Sequence, residues 1–362
     1  MEQFEVVLIG AGHMGKVHLQ AALDSPYISK VHICDPSPEI IQQRREEFGV
    51  ESITLDDALK NPRIPFAIIA TPNDLHAAQT LQCLSAGKGV LCEKPMGMDL
   101  TEARQIAAAA GKPGAFLQIG FELHYSTMYQ LAHQWIKSGL IGEVTQTQCR
   151  YFCCEFHKKN SWRSNSAGNF LIAEKLSHYL DLQRWYLNEE FESVYSLSAA
   201  KTVPYFNHND NHQILARYPN GKVGVLNFIM YIAETFHNDP LKDMLEQQSD
   251  DGHALQYHIC GLKGAIEIDV FRRRIRRWEF RDGEKQLESS IVETITYTPQ
   301  EDQQSFHNVY GQTLRVLELF AQGKVPEVSA QDALQTMKLC QAADLSEQTG
   351  TLINAGDERL TQ

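Results

Sequence analysis

The sequence predicts an α/β protein: a doubly wound parallel sheet in its first part, then an α+β domain with a large, mostly antiparallel sheet. Two observations carry this prediction. In the first third of the 362 residues, short β-branched runs alternate with longer helical patterns. Beyond about Phe121 strand patterns with turn signals dominate instead.

The first part reads as repeated strand–helix–strand units, which build a parallel sheet with helices on both faces. Gly87 stands directly after one helical pattern, where glycine commonly ends a helix. The predicted strands are residues 5–9, 30–34, 66–70, 89–92 and 115–120. The predicted helices are residues 16–24, 38–48, 75–86 and 101–110.

The second part is richer in strands. Asn220-Gly221 separates two of them and predicts a hairpin, because both turn positions need a positive φ. The predicted strands are residues 144–152, 213–218, 222–230, 254–260, 265–271, 276–281 and 292–297. The predicted helices are residues 126–138, 168–187, 300–322 and 330–349. We expect two domains, residues 1–121 and 122–362. The last helices of the chain can pack against the first of these domains.

The composition and charge of the chain argue against several classes of function. The formal net charge is −12, from 33 Lys+Arg and 45 Asp+Glu, and an acidic surface disfavours sequence-independent nucleic-acid binding. The longest apolar runs are far shorter than the roughly 20 residues that cross a bilayer. No secretory signal is visible, the eight cysteines are too sparse for a disulfide framework, and no His, Cys or acidic cluster has metal-ligand spacing. These features predict a cytoplasmic protein without membrane, nucleic-acid or metal partners.

A glycine-rich segment, GAGHMG at residues 10–15, follows the first predicted strand and precedes a helix. In this context G-x-G-x-x-G predicts a dinucleotide-binding loop. Gly10 permits the tight turn, Gly12 lets the backbone approach a pyrophosphate, and Gly15 allows the helix to pack closely on the strand. His13 and Met14 complete the loop, whose helix N-terminus offers free N–H groups to the phosphates.

Asp35 ends the second predicted strand, at the distance past the glycines that a nucleotide fold expects. Its carboxylate can accept hydrogen bonds from ribose hydroxyls and would repel a 2′-phosphate. The residue therefore favours NAD as cofactor, with NADP less suited. The alternative is that Asp35-Pro36 only opens a turn.

Two further segments end strands at the same crevice. Thr71-Pro72-Asn73 with His76 closes one strand and opens a helix, and Glu93-Lys94-Pro95 ends the next strand. A lysine at a strand end can orient a hydroxyl or carbonyl group and stabilise developing negative charge. Besides the glycine loop and Asp35, the predicted cofactor contacts are Thr71, Pro72, Asn73, His76, Glu93 and Lys94.

In the second part, Glu174, His178 and Asp181 are spaced i, i+4, i+7 on a predicted helix and so share one face. A carboxylate one turn from an imidazole can fix its tautomer and raise its basicity, as a general acid/base requires. A solvated helix face is the alternative, although Leu176 and Leu180 lie among these residues.

Taken together, the motifs resemble the glucose–fructose oxidoreductase, inositol dehydrogenase and MocA family over nearly the whole chain. The residues that carry the resemblance are the glycine loop, Thr71–Asn73 with His76, Ala86–Lys88, Glu93–Pro95, Gly139–Glu143, Trp162-Arg163 and the segment 168–181. The resemblance implies a Rossmann domain followed by an α/β domain whose open sheet forms a homodimer or homotetramer. It also implies hydride transfer between a nicotinamide and a sugar, cyclitol or related polyhydroxylated carbinol or ketone.

The resemblance also assigns roles. Lys94 polarises the reacting oxygen, His178 is the acid/base and Glu174 orients it. Residues expected to contact the substrate are Glu122, Trp162, Arg163, Lys175, His178 and Asp181. Asp181 has a structural alternative as a helix cap or ion-pair partner.

The sequence departs from the family in two places. The usual pattern Asp-x-Gly-x-His-x-x-Asp has Glu174 and Leu176 at its first and third positions, and His124 stands where many members have arginine. Two other functions therefore stay open: a catalytically silent nucleotide-sensing regulator on the same fold, and a redox-neutral enzyme that retains NAD.

Overall fold

The structure is a computed structural model that describes residues 3–155, 157, 159–165, 167–168, 171–235 and 251–360. The chain divides into two compact units, which are described separately. The first unit contains residues 1–125 and 308–337, and the second contains residues 126–307 and 338–362.

The described elements are named here in chain order. The helices are α1 His13–Asp24, α2 Pro38–Phe48, α3 Leu55–Lys60, α4 Asn73–Ser85, α5 Leu100–Ala110, α6 Thr127–Lys137, α7 Trp162–Asn165, α8 Ser177–Leu187, α9 Asp302–Phe306, α10 Val309–Ala321 and α11 Ala330–Thr349. The strands are β1 Phe4–Ile9, β2 Ile28–Cys34, β3 Glu51–Ser52, β4 Phe66–Ile69, β5 Gly89–Glu93, β6 Leu117–Gly120, β7 Val144–Phe152, β8 Ala167–Gly168, β9 Ser193–Leu197, β10 Asn207–His208, β11 Asn211–Arg217, β12 Val223–Ile229, β13 Ala254–Gly261, β14 Gly264–Asp269, β15 Arg274–Asp282, β16 Leu287–Thr296 and β17 Ile353–Asn354.

The first unit is built on a six-stranded parallel sheet in the order β3-β2-β1-β4-β5-β6. The predicted doubly wound sheet is thereby confirmed. The strand order reverses between β1 and β4, and ligands of such folds bind outside the strand ends at that point. β3 and α3 are not predicted from the sequence, because two strand residues and six helical ones give too little periodicity.

Side-chain caps begin several of the first unit's helices. Ser37, Thr54 and Asp99 each accept a hydrogen bond from a backbone N–H in the first turn of α2, α3 and α5. α1 differs, because it starts at His13, three residues before its predicted start, with Gly12 at its N-cap. The glycine loop therefore runs directly into the helix.

The core of the first unit includes side chains from distant parts of the chain. Val316, Leu317 and Leu319 of α10 are buried with the strands β1, β2 and β4. The ring of Phe320 lies 4.8 Å from that of Phe66, measured between ring centroids. α10 is thus a structural part of the first unit, although it follows the second unit's sheet in sequence.

The second unit is built on a nine-stranded sheet in the order β16-β15-β14-β13-β7-β12-β11-β9-β17. Among its described strands, only β7 and β12 run parallel, so the prediction of a mostly antiparallel sheet is confirmed. The hairpin prediction is also confirmed, because φ is 61° at Asn220 and 75° at Gly221.

The two faces of this sheet differ. Alternate residues such as Cys149, Ile214 and Leu226 are buried, and Gln183 of α8 packs closely against Gly224 on that side. The opposite side, which we call the open face, presents alternate residues that are at least partly exposed. On its central strands the open face includes Gln146, Gln148, Arg150, Leu215, Val225 and Tyr195.

Two helix predictions are corrected. The segment 168–187 is not one α-helix: Gly168 belongs to β8, and Ile172–Leu176 is a π-helical turn ahead of α8. The segment 300–322 is broken at His307 and Asn308, which separate α9 from α10. Hydrophobic periodicity alone does not register a single wider turn or a two-residue break.

The arginines at 272–277 are paired within the second unit. Arg276 lies 2.8 Å from Glu267, Arg272 lies 3.0 Å from Asp269, and both acids are buried on β14. Burial alone would raise the pKa of Glu267, but hydrogen bonds from His258 and Arg276 and the nearby arginine charges lower it to about 2. The cluster is therefore an ion-pair network on the sheet. Over the described residues, no helix has the length and apolar character needed to cross a membrane.

Candidate active site

The glycine loop of the first unit joins β1 to α1, and its three glycines differ in how closely they are packed. Gly10 has φ of +87°, and a Cβ on it would lie 2.7 Å from the carbonyl oxygen of Ala70. A Cβ on Gly15 would lie 2.1 Å from the carbonyl oxygen of Gly10. A Cβ on Gly12 would meet no atom of the described residues within 4 Å. Gly10 and Gly15 are therefore required by packing, whereas the described residues leave open space beside Gly12.

Two charged side chains hold the loop. Asp35 accepts hydrogen bonds from the N–H of Ala11 at 2.8 Å and of Ser37 at 2.9 Å. Arg44 of α2 donates from Nε to the carbonyl of Ala11 at 2.9 Å and from Nη2 to that of Gly12 at 3.5 Å. Each oxygen of Asp35 keeps a further lone pair for a ribose hydroxyl.

The crevice residues after β4 are held in place by a buried histidine. His76 has Nδ1 at 2.8 Å from the carbonyl of Pro95 and Nε2 at 2.9 Å from that of Thr71. Burial lowers the pKa of His76, and the two carbonyl contacts oppose this shift. Its ring therefore braces the two strand-end turns. Asn73, the first residue of α4 after Pro72, has a buried Nδ2 without a hydrogen-bond partner among the described residues.

Lys94 directly follows the end of β5 and is half-buried. The preceding residue, Glu93, is 7% exposed and accepts the N–H of Lys94 at 3.3 Å. Its other oxygen lies 3.1 Å from Nε2 of His18, whose Nδ1 lies 2.8 Å from the hydroxyl of Thr313. This buried chain of contacts fixes the turn that presents Lys94.

In the second unit, the predicted acid/base His178 is 6% exposed at the start of α8. The π-helical turn lies immediately before it, and such turns are frequent at functional sites. The ring of His307 lies 5.9 Å from that of His178, between centroids, at an angle of 69°. A second imidazole thus lies beside the predicted acid/base.

Glu174 lies in the π-helical turn and forms an ion pair with Arg163, with 3.0 Å between Oε1 and Nε. The structure thus brings together a predicted catalytic residue and a predicted substrate residue. Lys175, the next residue, places Nζ 5.1 Å from the ring centroid of Tyr151, within the range of a cation–π contact.

The remaining predicted substrate residues are placed as follows. Asp181 is buried, and Oδ1 lies 3.8 Å from Nη1 of Arg184, which agrees with its structural alternative. Glu122 is buried in a 3₁₀ turn of the first unit, and His124 is half-buried in the same turn. The prediction for Trp162 rests on its side chain, which lies outside the described part of the structure.

Sequence reasoning missed His157. This histidine is buried, and its burial lowers its pKa to about 3 despite the charge of Glu174. The charges of Arg163 and Lys175 also act on it, which places it in the same neighbourhood. His208 contacts the carbonyl of Arg163 through Nε2 at 3.1 Å.

Sequence reasoning also missed Arg44, His18 and His307. One signal was present for His18, which follows Gly15 by three residues and so lies on the helix face that packs on the strand. Arg44 sits in a run of polar residues and gives no such signal.

Comparison with known proteins matches both parts of the chain. Residues 4–121 match a family model described as an oxidoreductase family with an NAD-binding Rossmann fold. Residues 133–354 match the model of the C-terminal α/β domain of the same family.

Two curated relatives illustrate the similarity. The rhizopine catabolism protein MocA of Rhizobium meliloti is 29% identical over 207 residues, which cover 56% of this chain and 63% of that protein. Levoglucosan dehydrogenase of Pseudarthrobacter phenanthrenivorans is 30% identical over 210 residues, which cover 54% of this chain and 53% of that protein. The chain thus spans between about half and two thirds of the length of these relatives.

Solved structures share the fold over the full length. An oxidoreductase domain protein from Kribbella flavida superposes with a TM-score of 0.81 at 21% identity, covering 99% of this chain and 100% of that one. A levoglucosan dehydrogenase in complex with NADH and levoglucosan gives 0.79 at 21% identity, covering 98% and 100%. On the strength of the two family matches, the protein is a member of the glucose–fructose oxidoreductase, inositol dehydrogenase and MocA family of oxidoreductases, with an NAD-binding Rossmann fold in its first part.

Proposed function

We propose that the protein is a dehydrogenase or reductase that moves a hydride between NAD and a polyhydroxylated carbinol or ketone. The observation that carries this proposal is the joint presence of open space beside Gly12, among the described residues at the start of α1, and a lysine braced at the end of β5. The orphaned amide of Asn73 supplies an unused buried donor on the same edge of the sheet. A bound nicotinamide supplies the hydride acceptor or donor.

Lys94 is proposed to polarise the reacting oxygen. An ammonium group stabilises the negative charge that builds on that oxygen as the carbinol loses its hydrogen as hydride. The Glu93 carboxyl group holds the backbone N–H of Lys94, and His18 holds Glu93 in turn. This support fixes the direction from which the lysine approaches.

His178 is proposed to take the hydroxyl proton during oxidation and to return it during reduction. Histidine suits this task because its ordinary pKa lies near neutral pH. Glu174 is proposed to orient His178. Arg163 would hold the Glu174 carboxylate in place through their ion pair. Glu122, Trp162, Lys175 and Asp181 remain proposed substrate contacts, as does Arg163.

The substrate class and cofactor preference are also proposals. Relatives named for inositol and levoglucosan suggest a sugar or cyclitol, and Asp35 favours NAD over NADP. We further propose a homodimer or homotetramer formed through the open face. A cytoplasmic location fits the eight cysteines, all of them described and none in a disulfide.

A lysine variant tests the assignment. We expect Lys94→Ala to lose turnover by at least a hundredfold while its affinity for NADH, measured by fluorescence titration, falls less than tenfold, because Lys94 is only one of several proposed cofactor contacts. Sugars, cyclitols and their keto forms are assayed with NAD and with NADP. Lys112→Ala, an exposed lysine of the same unit, is the matched control and should keep wild-type turnover.

The same experiment separates the alternatives. NADH binding with no turnover of any substrate in the panel would favour a nucleotide-sensing regulator. Turnover without net change in absorbance at the NADH wavelength would favour a redox-neutral enzyme with retained NAD. Absence of NADH binding by the wild-type protein would overturn the proposal.

A further inference from the structure

We propose that Arg44 is a positioning residue that orients the glycine loop toward the dinucleotide pyrophosphate. This inference rests on the proposed use of that loop for NAD. No sequence motif marks Arg44, which lies in the polar run QQRREE of α2.

Arg44 is buried in the first unit, and its guanidinium group is hydrogen-bonded there. The residue is 6% exposed, although it lies on a helix whose other described residues are at least partly exposed. It donates to the carbonyl of Ala11 at 2.9 Å and to that of Gly12 at 3.5 Å, and Nη1 lies 2.8 Å from Glu47. A buried arginine is tolerated where several of its donors are satisfied in this way.

The contacts of Arg44 determine which way the neighbouring backbone N–H groups of the loop point. In a trans peptide the C=O and the N–H of the same unit point in opposite directions. A carbonyl of Ala11 fixed on Arg44 therefore directs the N–H of Gly12 to the other side. The carbonyl of Gly12, which accepts the N–H of Lys16 at 2.9 Å as well as the contact from Arg44, does the same for the N–H of His13. These two N–H groups belong to the start of α1, where a helix offers donors to an anion.

The preceding peptide unit is fixed by a different group. The N–H of Ala11 donates to Asp35, so the carbonyl of Gly10 points the opposite way, toward Gly15. Three successive peptide groups are thus held before any ligand arrives. A loop ordered in advance loses less conformational entropy when the ligand binds, and affinity rises accordingly.

The positive charge of Arg44 also favours binding of an anion at the glycine loop. A cation near the loop adds to the favourable field of the helix N-terminus for an anion. Glu47 moderates this charge, and Lys16 also pairs with Glu47 at 3.1 Å.

The neighbouring arginine gives a matched control. Arg45 is exposed on the same helix. We compare Arg44→Leu, Arg44→Lys and Arg45→Leu by calorimetric titration with ADP-ribose, which carries the pyrophosphate without the nicotinamide. Adenosine, titrated by NMR, is the probe that lacks phosphate. Thermal unfolding without ligand verifies the fold of each variant.

We expect Arg44→Leu to bind ADP-ribose at least tenfold more weakly than the wild type, and Arg44→Lys at least threefold more weakly, since an ammonium cannot hold two carbonyls in one fork. Arg45→Leu and the adenosine affinities should stay within twofold. Wild-type affinity for ADP-ribose in a folded Arg44→Leu overturns the inference, as does an equal loss of adenosine binding. If Arg44→Leu does not fold, wild-type affinity in Arg44→Lys overturns it. A wild-type protein that binds no ADP-ribose contradicts the proposed function as well.

Discussion

Single glycines of the loop should respond differently to a methyl group. Gly15→Ala places a Cβ 2.1 Å from the carbonyl of Gly10, so we expect a loss of about 2 kcal/mol in the free energy of unfolding. Gly12→Ala meets no atom of the described residues within 4 Å and should unfold like the wild type, yet it should bind NADH more weakly because the methyl group enters the proposed phosphate site. Denaturant unfolding and fluorescence titration measure the two effects. Equal behaviour of both variants would contradict the packing argument.

A buried histidine should make stability depend on pH. Burial lowers the pKa of His157 to about 3 in the folded protein, whereas an unfolded chain has about 6.5. Between these values the unfolded state binds more protons, so the free energy of unfolding falls as pH decreases from about 6.5. We expect His157→Gln to lose less stability than the wild type between pH 7 and pH 5, measured by urea unfolding. Parallel stability curves for the two proteins would count against this.

Individual residues were predictable where their role depends on local sequence. The glycines follow from turn geometry and Asp35 from its distance along a strand–helix unit. Arg44 and His157 were not predictable, because their contacts join segments far apart in sequence. The acceptors of Arg44 lie 33 and 32 residues away, on the glycine loop. A charged residue within a polar stretch of a helix is predicted to be exposed, and only the tertiary structure shows that it is buried.

At the scale of elements, the start of α10 depends on one side chain. Asn308 accepts the N–H of Gly311 at 2.8 Å and donates to the carbonyl of Tyr125 at 2.9 Å. Asn308→Ala removes both contacts and should lower the free energy of unfolding by about 2 kcal/mol. Asn308→Asp keeps the cap but not the donor, so its loss should be about half as large. Chemical unfolding of both variants tests this, and equal losses would show that the cap contributes nothing.

Most elements of the sequence prediction are confirmed, with limits that have physical causes. The parallel strands were visible because buried β-branched runs alternate with amphipathic helices. β9 and β17 were not predicted, because short strands carry little pattern. The π-helical turn at Ile172–Leu176 was missed because apolar spacing near 3.6 residues does not exclude one wider turn.

On the scale of the whole molecule, the proposed assembly through the open face can be tested. Leu215 is 51% exposed there, paired with Val225 on one neighbouring strand and Tyr195 on the other. Leu215→Asp should convert a dimer or tetramer to a smaller species in sedimentation, because an interface core excludes an unpaired charge. Leu75→Asp is the control, since Leu75 is 41% exposed on α4 of the first unit. A monomeric wild type, or an unchanged Leu215→Asp, would contradict the proposed interface.

The change of strand and helix pattern near Phe121 indicated two large sheets, and the described residues form one of six strands and one of nine. This pattern could not show that residues 308–337 group with residues 1–125. The apolar face of an amphipathic helix does not reveal which sheet the helix packs against.

The return of α10 to the first unit has a consequence for synthesis on the ribosome. Phe4, Phe66 and Phe116 emerge early, but Phe320, whose ring packs against all three, is made about 200 residues later. At typical elongation rates that interval lasts about 10 to 40 s. During this time the nascent sheet lacks the α10 side chains that cover its apolar face, so we expect chaperones to bind the growing chain until α10 has been synthesised.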